Sequence, residues 1–201
     1  LIHTATVLPQ IIVYRKEWFE NQLNYLKKKF LTEWINAPLA VRSSFLDEDG
    51  RTQSKAGLFD TKLGVCGQDE LNSAINVIFS QKGSSDDADQ IIVQPFITDS
   101  TISGVAFTYD PNSKTPYYVI NFGDQNGDTT IVTSGTTNDL QTFICSRSTH
   151  EVSDLFLNSV LKLLHELEDK TGLPTLDVEF TVSKSLGLVL LQARPLTGIP
   201  H

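Results

Sequence analysis

The sequence predicts a mixed α/β protein (α+β) in two lobes, and three observations lead to this fold class. Several stretches carry apolar residues at spacings of three and four, which is the period of an amphipathic helix. Short runs rich in β-branched residues recur after residue 90 between turn residues, which is typical of an antiparallel sheet. A polar stretch over residues 83–89 separates a shorter first half of the chain from this series of strands.

The first lobe is predicted over residues 1–89. Residues 11–14 and 39–41 are short apolar runs next to a proline, and we expect both to be strands. Residues 17–34 and 69–79 place their apolar side chains on one face, so both are predicted to be helices. This lobe should therefore combine a small sheet with packed helices.

The second lobe is predicted over residues 90–201 and is richer in strands. The predicted strands are residues 91–93, 105–108, 117–120, 130–132, 142–144, 176–182 and 186–192. One helix is predicted over residues 152–170, with Ser153 as its N-cap and Gly172 as its stop. A turn at residues 183–185 should join the last two strands into a hairpin.

The composition narrows the function. The net charge of −8 over 201 residues disfavours nucleic acid as a partner, because that would require a basic surface. No apolar run is long enough to span a membrane and no signal peptide is visible, so we expect a cytoplasmic protein. The four histidines are expected to form no cluster, and two distant cysteines lack metal-ligand spacing. The chain begins with Leu1 and contains no methionine, so it is expected to be part of a longer polypeptide.

The closing hairpin carries the clearest candidate site. Asp177 and Glu179 are two residues apart on a predicted strand, so their carboxylates share one face, and Gln192 and Arg194 share a face of the partner strand. Carboxylate and amide oxygens suit Mg²⁺, and a guanidinium suits phosphate. The spacing alone leaves an alternative open, namely a cross-strand ion pair on an exposed face.

Two further segments could meet phosphates. Arg42 leaves a buried strand into residues 43–67, a long loop rich in Ser, Gly and Asp; the alternative is an ion pair with a carboxylate of that loop. Ser103 and Gly104 are predicted to lie in a small loop whose amides could cover phosphates, and the alternative there is a plain hairpin turn.

Taken in order, these motifs resemble the ATP-binding domain of the phosphoenolpyruvate synthase and pyruvate phosphate dikinase family, which has an ATP-grasp fold. The matching stretches are Val41-Arg42-Ser43-Ser44 with Glu48-Asp49, Ser54-Lys55-Ala56-Gly57 with Thr61, Ile92-Val93-Gln94-Pro95, Ser103-Gly104-Val105-Ala106-Phe107-Thr108 with Asp110-Pro111, Val132-Thr133-Ser134-Gly135, Asp177-Val178-Glu179, and Leu191-Gln192-Ala193-Arg194-Pro195. The short connections make the chain similar to compact kinases of surface-polysaccharide clusters, such as L-glutamine kinase.

The resemblance implies a role for each candidate residue. Arg42 and Arg194 would hold the ATP phosphates, and Glu179 and Gln192 would ligate Mg²⁺, with Asp177 beside them. A hinge over residues 94–98, including Gln94 and Phe96, would meet adenine. Ser103 and Gly104 would belong to the loop over the phosphates.

The resemblance also implies partners. A phosphoryl group would pass to a histidine in a separate carrier domain of the same parent chain, and then to a small-molecule acceptor in another domain. A lysine near the start of the family's nucleotide domain and the carrier's Thr-Ser-His motif have no match in this sequence. Two rival functions stay open: an ATP-grasp ligase that activates a carboxylate, and a non-catalytic nucleotide-binding module.

Overall fold

A computed structural model describes residues 1–21, 34, 37–44, 61–80, 86–124 and 140–196. Its strands are β1 (Thr6–Val7), β2 (Ile11–Tyr14), β3 (Leu39–Ser44), β4 (Thr61–Val65), β5 (Gln90–Pro95), β6 (Ser100–Phe107), β7 (Tyr117–Asp124), β8 (Gln141–Ser146), β9 (Leu176–Ser183) and β10 (Gly187–Pro195). Two helices are described in full, α1 (Gly67–Phe79) and α2 (Leu155–Thr171), and residues 15–21 are also helical. The mixed α/β class is therefore confirmed.

The chain divides into two compact units. One unit is Pro9–Phe96, and the other combines Leu1–Leu8 with Ile97–His201. The predicted division at residue 89 differs from this because β5 pairs with β2 and β3 of the first unit. The boundary between Phe96 and Ile97 falls within the segment that the resemblance implies as a hinge.

The first unit is a four-stranded sheet in the order β2-β5-β3-β4, with every pair antiparallel. The amphipathic helix α1 packs its apolar residues against one face of this sheet. The shared core consists of Val13, Trp18, Leu39, Val41, Val65, Leu71, Ala74, Ile75, Ile78, Phe79, Ile91 and Val93. Strand β4 was not predicted, since its residues were assigned to the long loop, of which residues 45–60 lie outside the described part of the chain. Most of the predicted helix over residues 17–34 also lies outside the described part of the chain.

The second unit contains a six-stranded sheet in the order β1-β10-β9-β6-β7-β8. The pair of β1 and β10 is parallel, and the other pairs are antiparallel. Helix α2 ends at Gly172 as predicted, where a left-handed backbone (φ 68°) caps it. Its N-cap is Asp154 instead of Ser153, because the Asp154 carboxylate accepts from the Leu157 amide at 2.9 Å. The predicted strand over residues 130–132 lies outside the described residues.

The two faces of the six-stranded sheet differ in chemistry. One face, here called the core face, packs on α2 through Ala106, Tyr118, Ile120, Val160, Leu161, Leu163, Leu164, Leu167, Leu176, Val178 and Phe180. Pairing places a second set of residues side by side on the opposite face: Ser103, Val105, Phe107, Asn121, Asp177, Glu179, Gln192 and Arg194. We call this second set the polar face.

Candidate functional site

The closing hairpin pairs as the sequence predicts. Gln192 lies opposite Glu179, and Arg194 lies opposite Asp177. Directly opposed residues of an antiparallel pair lie on the same face, so two carboxylates, an amide and a guanidinium form one cluster. On the other side of β9, Val105 lies opposite Glu179 and supplies an apolar neighbour.

A β-bulge in β10 creates this arrangement. Leu188 and Leu190 pack against the core cluster, and Leu190 lies opposite Phe180. Strict alternation would direct every second residue after Leu190, including Gln192 and Arg194, to the core face as well. The register shift between Leu190 and Gln192 inserts one residue and turns both side chains to the polar face.

Arg194 and Asp177 form an ion pair on this face. The Arg194 Nε and Nη2 atoms both donate to Asp177 Oδ2, at 3.0 and 2.9 Å. The ion-pair alternative is thus present in the structure, within the same cluster as the predicted site. Burial raises the pKa of the Asp177 carboxyl above its usual range, although the Arg194 charge opposes this and the Glu179 charge adds to it.

The second carboxylate oxygen of Asp177 could contact a cation. Asp177 Oδ1 is buried and has no hydrogen-bond partner. A buried carboxylate oxygen near a second carboxylate is costly unless a cation or a donor compensates it. The donor set of two carboxylates and the Gln192 amide fits Mg²⁺, which prefers hard oxygen ligands. Among the described residues, no group of three or more His, Cys, Asp or Glu side chains is arranged to hold a metal ion.

Ser103 and Gly104 are not in a loop, which corrects the prediction. Both lie inside β6, which pairs with β7 on one side and β9 on the other. Their backbone groups therefore belong to the hydrogen-bonding pattern of the sheet. Thr181 Oγ1 donates to the Ile102 carbonyl at 2.8 Å, and Ser103 Oγ shares hydrogen bonds with Thr181 Oγ1 at 2.9 Å and with Ser100 Oγ at 3.2 Å. Neither residue is therefore arranged to donate to a phosphate in a covering loop.

Gly104 has a different requirement. A Cβ atom at this position would lie 2.4 Å from Phe180 Cζ and 2.6 Å from the Asn121 carbonyl oxygen. Only glycine allows this approach of β6 to the core face. Its place in the motif therefore reflects packing beneath the polar face.

In the first unit, three candidate residues lie on β3 and at the end of β5. Arg42 is half-buried and lies between Thr61 and Ile92 in the sheet. Gln94 lies opposite Ala40 and is 2% exposed, and the Phe96 amide donates to the Pro38 carbonyl at 2.9 Å. Arg42 and Gln94 share the face that points away from α1, because their neighbours Val41 and Val93 belong to the core.

Sequence reasoning missed Asn121. This residue lies opposite Val105 on the polar face, and its Oδ1 accepts from Thr142 Oγ1 at 2.8 Å. A single polar residue within the run of residues 117–122 gave the only available signal, since strand pairing is needed to place it beside the site.

The histidines are closer together than predicted. The His150 and His165 rings stack with centroids 4.8 Å apart, and His165 is held by Tyr118 Oη at 3.1 Å and by the Thr149 carbonyl at 3.0 Å. An open cavity of about 480 Å³ lies beside them on the solvent side of α2. Its lining is His3, Thr4, His150, Lys162, His165, Glu166, Asp169 and Lys170. None of the predicted site residues lines this cavity.

Residues 16–88 match the family model described as "Pyruvate phosphate dikinase, AMP/ATP-binding domain". The resemblance stated from the motifs is thereby confirmed, and the match supports nucleotide binding. The matched stretch includes Arg42 and ends before the closing hairpin.

One curated relative is the prodigiosin synthesizing transferase PigC of Serratia marcescens. It is 38% identical over 85 residues, which cover 37% of this chain and 10% of that protein. This chain therefore spans a small part of the relative that it matches.

Solved structures of ligases resemble the whole chain. The VanG D-Ala:D-Ser ligase of Enterococcus faecalis has a TM-score of 0.51 at 12% identity, covering 97% of this chain and 49% of that one. The D-alanine-D-alanine ligase of Helicobacter pylori has a TM-score of 0.48 at 14% identity, covering 96% and 47%. The likeness to VanG confirms the ATP-grasp fold. No helix among the described residues is long and apolar enough to cross a membrane.

Proposed function

We propose that this chain is the MgATP-binding part of a multidomain dikinase-type phosphotransferase. In this proposal, a phosphoryl group leaves ATP for a carrier histidine in a separate domain and then passes to a small-molecule acceptor. The match of residues 16–88 to an AMP/ATP-binding domain supports ATP as the ligand. The side chains of the polar face support the assignment of the metal and phosphate positions to this face.

One observation carries the proposal: the bulge in β10 brings Gln192 opposite Glu179 and Arg194 opposite Asp177. A surface ion pair alone needs neither the amide nor the second carboxylate. Phosphoryl transfer needs oxygen ligands for a cation and a guanidinium for phosphate oxygens, and this face contains both.

The residues then have distinct roles. Glu179 and Gln192 would hold Mg²⁺, which, when bound, neutralises charge on the phosphate oxygens. Asp177 orients the Arg194 guanidinium through two hydrogen bonds to one oxygen, and the oriented guanidinium would contact a phosphate oxygen. Arg42 would supply a second positive charge to the phosphates, and Gln94 and Phe96 would line the adenine position.

Calorimetry with MgATP tests this site. Arg194→Ala should weaken binding about tenfold or more, because a charge-assisted contact to phosphate is lost. Lys162→Ala is the matched control, since Lys162 is an exposed cation on α2 away from the polar face. Equal affinities for the wild type and Arg194→Ala would place the phosphates elsewhere.

The phosphotransfer step is tested on the longer parent chain. Quenching during turnover with β-³²P-labelled ATP should trap an acid-labile, base-stable phosphohistidine that carries the β-phosphoryl group. AMP should appear among the products when the acceptor is present, together with inorganic phosphate formed from the γ-phosphoryl group and water. Release of ADP alone would indicate a simple kinase. Formation of ADP with an acyl phosphate and no phosphohistidine would indicate the ligase alternative, and nucleotide binding without turnover would indicate a non-catalytic module.

A further inference from the structure

The N-terminal segment is bound to α2 by a single carboxylate. Glu166 accepts from the His3 amide at 2.8 Å, from the Thr4 amide at 2.8 Å and from Thr4 Oγ1 at 2.6 Å. Lys170 Nζ lies 3.7 Å from the same carboxylate. These hydrogen bonds hold the pKa of Glu166 at about 2, so the carboxylate is ionised at neutral pH and its bonds to residues 3–4 are charge-assisted.

Strand β1 begins two residues after this attachment. Thr6 lies opposite Val189 and Val7 lies opposite Leu190, in a parallel pair of only two residues. Thr6 Oγ1 also donates to the Leu186 carbonyl at 3.2 Å. A pair this short contributes few hydrogen bonds of its own, so its position depends on the anchor at residues 3–4.

The β1 contact ends where the bulge of β10 begins. Leu190 is the last residue of β10 that pairs with β1, and the register shift lies between Leu190 and Gln192. Without β1, β10 would be the edge of the sheet, and edge strands with a bulge can slip in register. A slip of one residue would exchange the faces on which Gln192 and Arg194 lie.

We propose that Glu166 is a positioning residue for the cation site, because it anchors β1 beside the bulge that turns Gln192 towards Glu179. The proposal rests on the proposed function, because that function identifies the polar face as a cation site. The effect of Glu166 on the register of β10 is a structural claim that holds whatever the site binds. The effect passes from Glu166 through Thr4 and β1 to Leu190, over contacts within one compact unit.

Hydrogen exchange tests the structural half of the proposal. Glu166→Gln keeps the shape of the side chain and removes its charge, and it should speed exchange at residues 189–192 about tenfold while exchange in β7 stays unchanged. Asp169→Asn is the matched control, as it removes a charge from the same helix with no contact to residues 1–8 among the described hydrogen bonds. Unchanged exchange at residues 189–192 in Glu166→Gln would overturn the proposal.

Magnesium titration tests the functional half. At a fixed concentration of ADP, the Mg²⁺ concentration for half-maximal binding should rise about fivefold in Glu166→Gln, with metal-free ADP affinity nearly unchanged. A lesser rise is expected for Thr4→Val, and the double variant should show less than the sum of the two effects, because both act on one contact. Faster exchange with an unchanged Mg²⁺ dependence would overturn the positioning role. A wild-type chain that does not bind Mg-nucleotide would overturn the proposed function, and the exchange result would still decide the register claim.

Discussion

The two faces of the six-stranded sheet use alternate residues of the same strands for different purposes. On the core face, Val178 and Phe180 of β9 are 0% exposed and pack against α2. On the polar face, Asp177 and Glu179 of the same strand place carboxylates beside an amide and a guanidinium. One alternating sequence therefore encodes packing on one face and chemistry on the other, so an error in register would exchange the two.

The largest expected effect comes from deleting Ala193, which makes Gln192 and Arg194 neighbours in the chain. Adjacent residues of a strand point to opposite faces, so one of the two side chains must then turn to the core face. The polar face loses either its guanidinium or its amide, and MgATP affinity should fall about 100-fold.

Calorimetry measures the loss of affinity in the deletion variant. Ala193→Ser is the control, because it keeps the number of residues and therefore the register. Retention of full MgATP affinity by the deletion variant would show that the shared facing of Gln192 and Arg194 does not create the site.

A smaller change, Glu179→Gln, should affect the polar face alone. It removes one carboxylate ligand, so Mg²⁺ affinity in the presence of nucleotide should fall about tenfold or more. Stability should hold or rise slightly, because the variant relieves the repulsion between Glu179 and the buried Asp177 carboxylate.

A titration of Mg²⁺ at a fixed nucleotide concentration measures the loss in Glu179→Gln. Glu151→Gln is a matched control, since Glu151 is exposed and precedes α2. If the Mg²⁺ dependence of Glu179→Gln equals that of the control, the metal binds elsewhere.

Periodicity predicted the core face well and the polar face in part. The spacing of Asp177, Glu179, Gln192 and Arg194 correctly predicted two same-face pairs, because alternation is a local property of each strand. It could not predict the bulge at Leu191, because a bulge is defined by how β10 pairs with β9 and not by the sequence of β10 alone. Since Gln192 and Leu190 are both even positions, strict alternation from the apolar end of β10 would have given the wrong face.

The same limit explains the other differences. Ser103 and Gly104 resemble a phosphate loop in sequence, and only the pairing of β6 with two neighbours shows that they lie inside a sheet. Asn121 and the stacked His150 and His165 were missed because they are distant in sequence from their partners. The position of the unit boundary at Phe96 likewise depends on which sheet β5 joins.

On the core face, Gly104→Ala should destabilise the protein by about 1–3 kcal/mol, the usual cost of overpacking. Its Cβ would lie 2.4 Å from Phe180 Cζ and 2.6 Å from a backbone oxygen that cannot move freely. Urea denaturation of the variant measures this loss. Phe180→Leu, added to Gly104→Ala, should recover part of it by clearing the aromatic contact, and a neutral Gly104→Ala would show that β6 and Phe180 are not this close.

The smallest expected effect is a pH-dependent change in stability, and it concerns β1, the edge strand that Glu166 anchors. The folded-state pKa of Glu166 is about 2, below the usual value of about 4.3 for a glutamate. A carboxyl group with a depressed folded-state pKa contributes stability above its unfolded pKa and loses it as the pH falls towards the folded pKa. The stability difference between the wild type and Glu166→Gln should therefore be constant above about pH 5 and should shrink between about pH 4.3 and 2. Urea denaturation at pH 7, 5, 4 and 3 measures this difference, and Asp169→Asn controls for the loss of a negative charge on α2. A difference that stays constant down to pH 3 would show that the Glu166 carboxylate is not what holds β1 to the sheet.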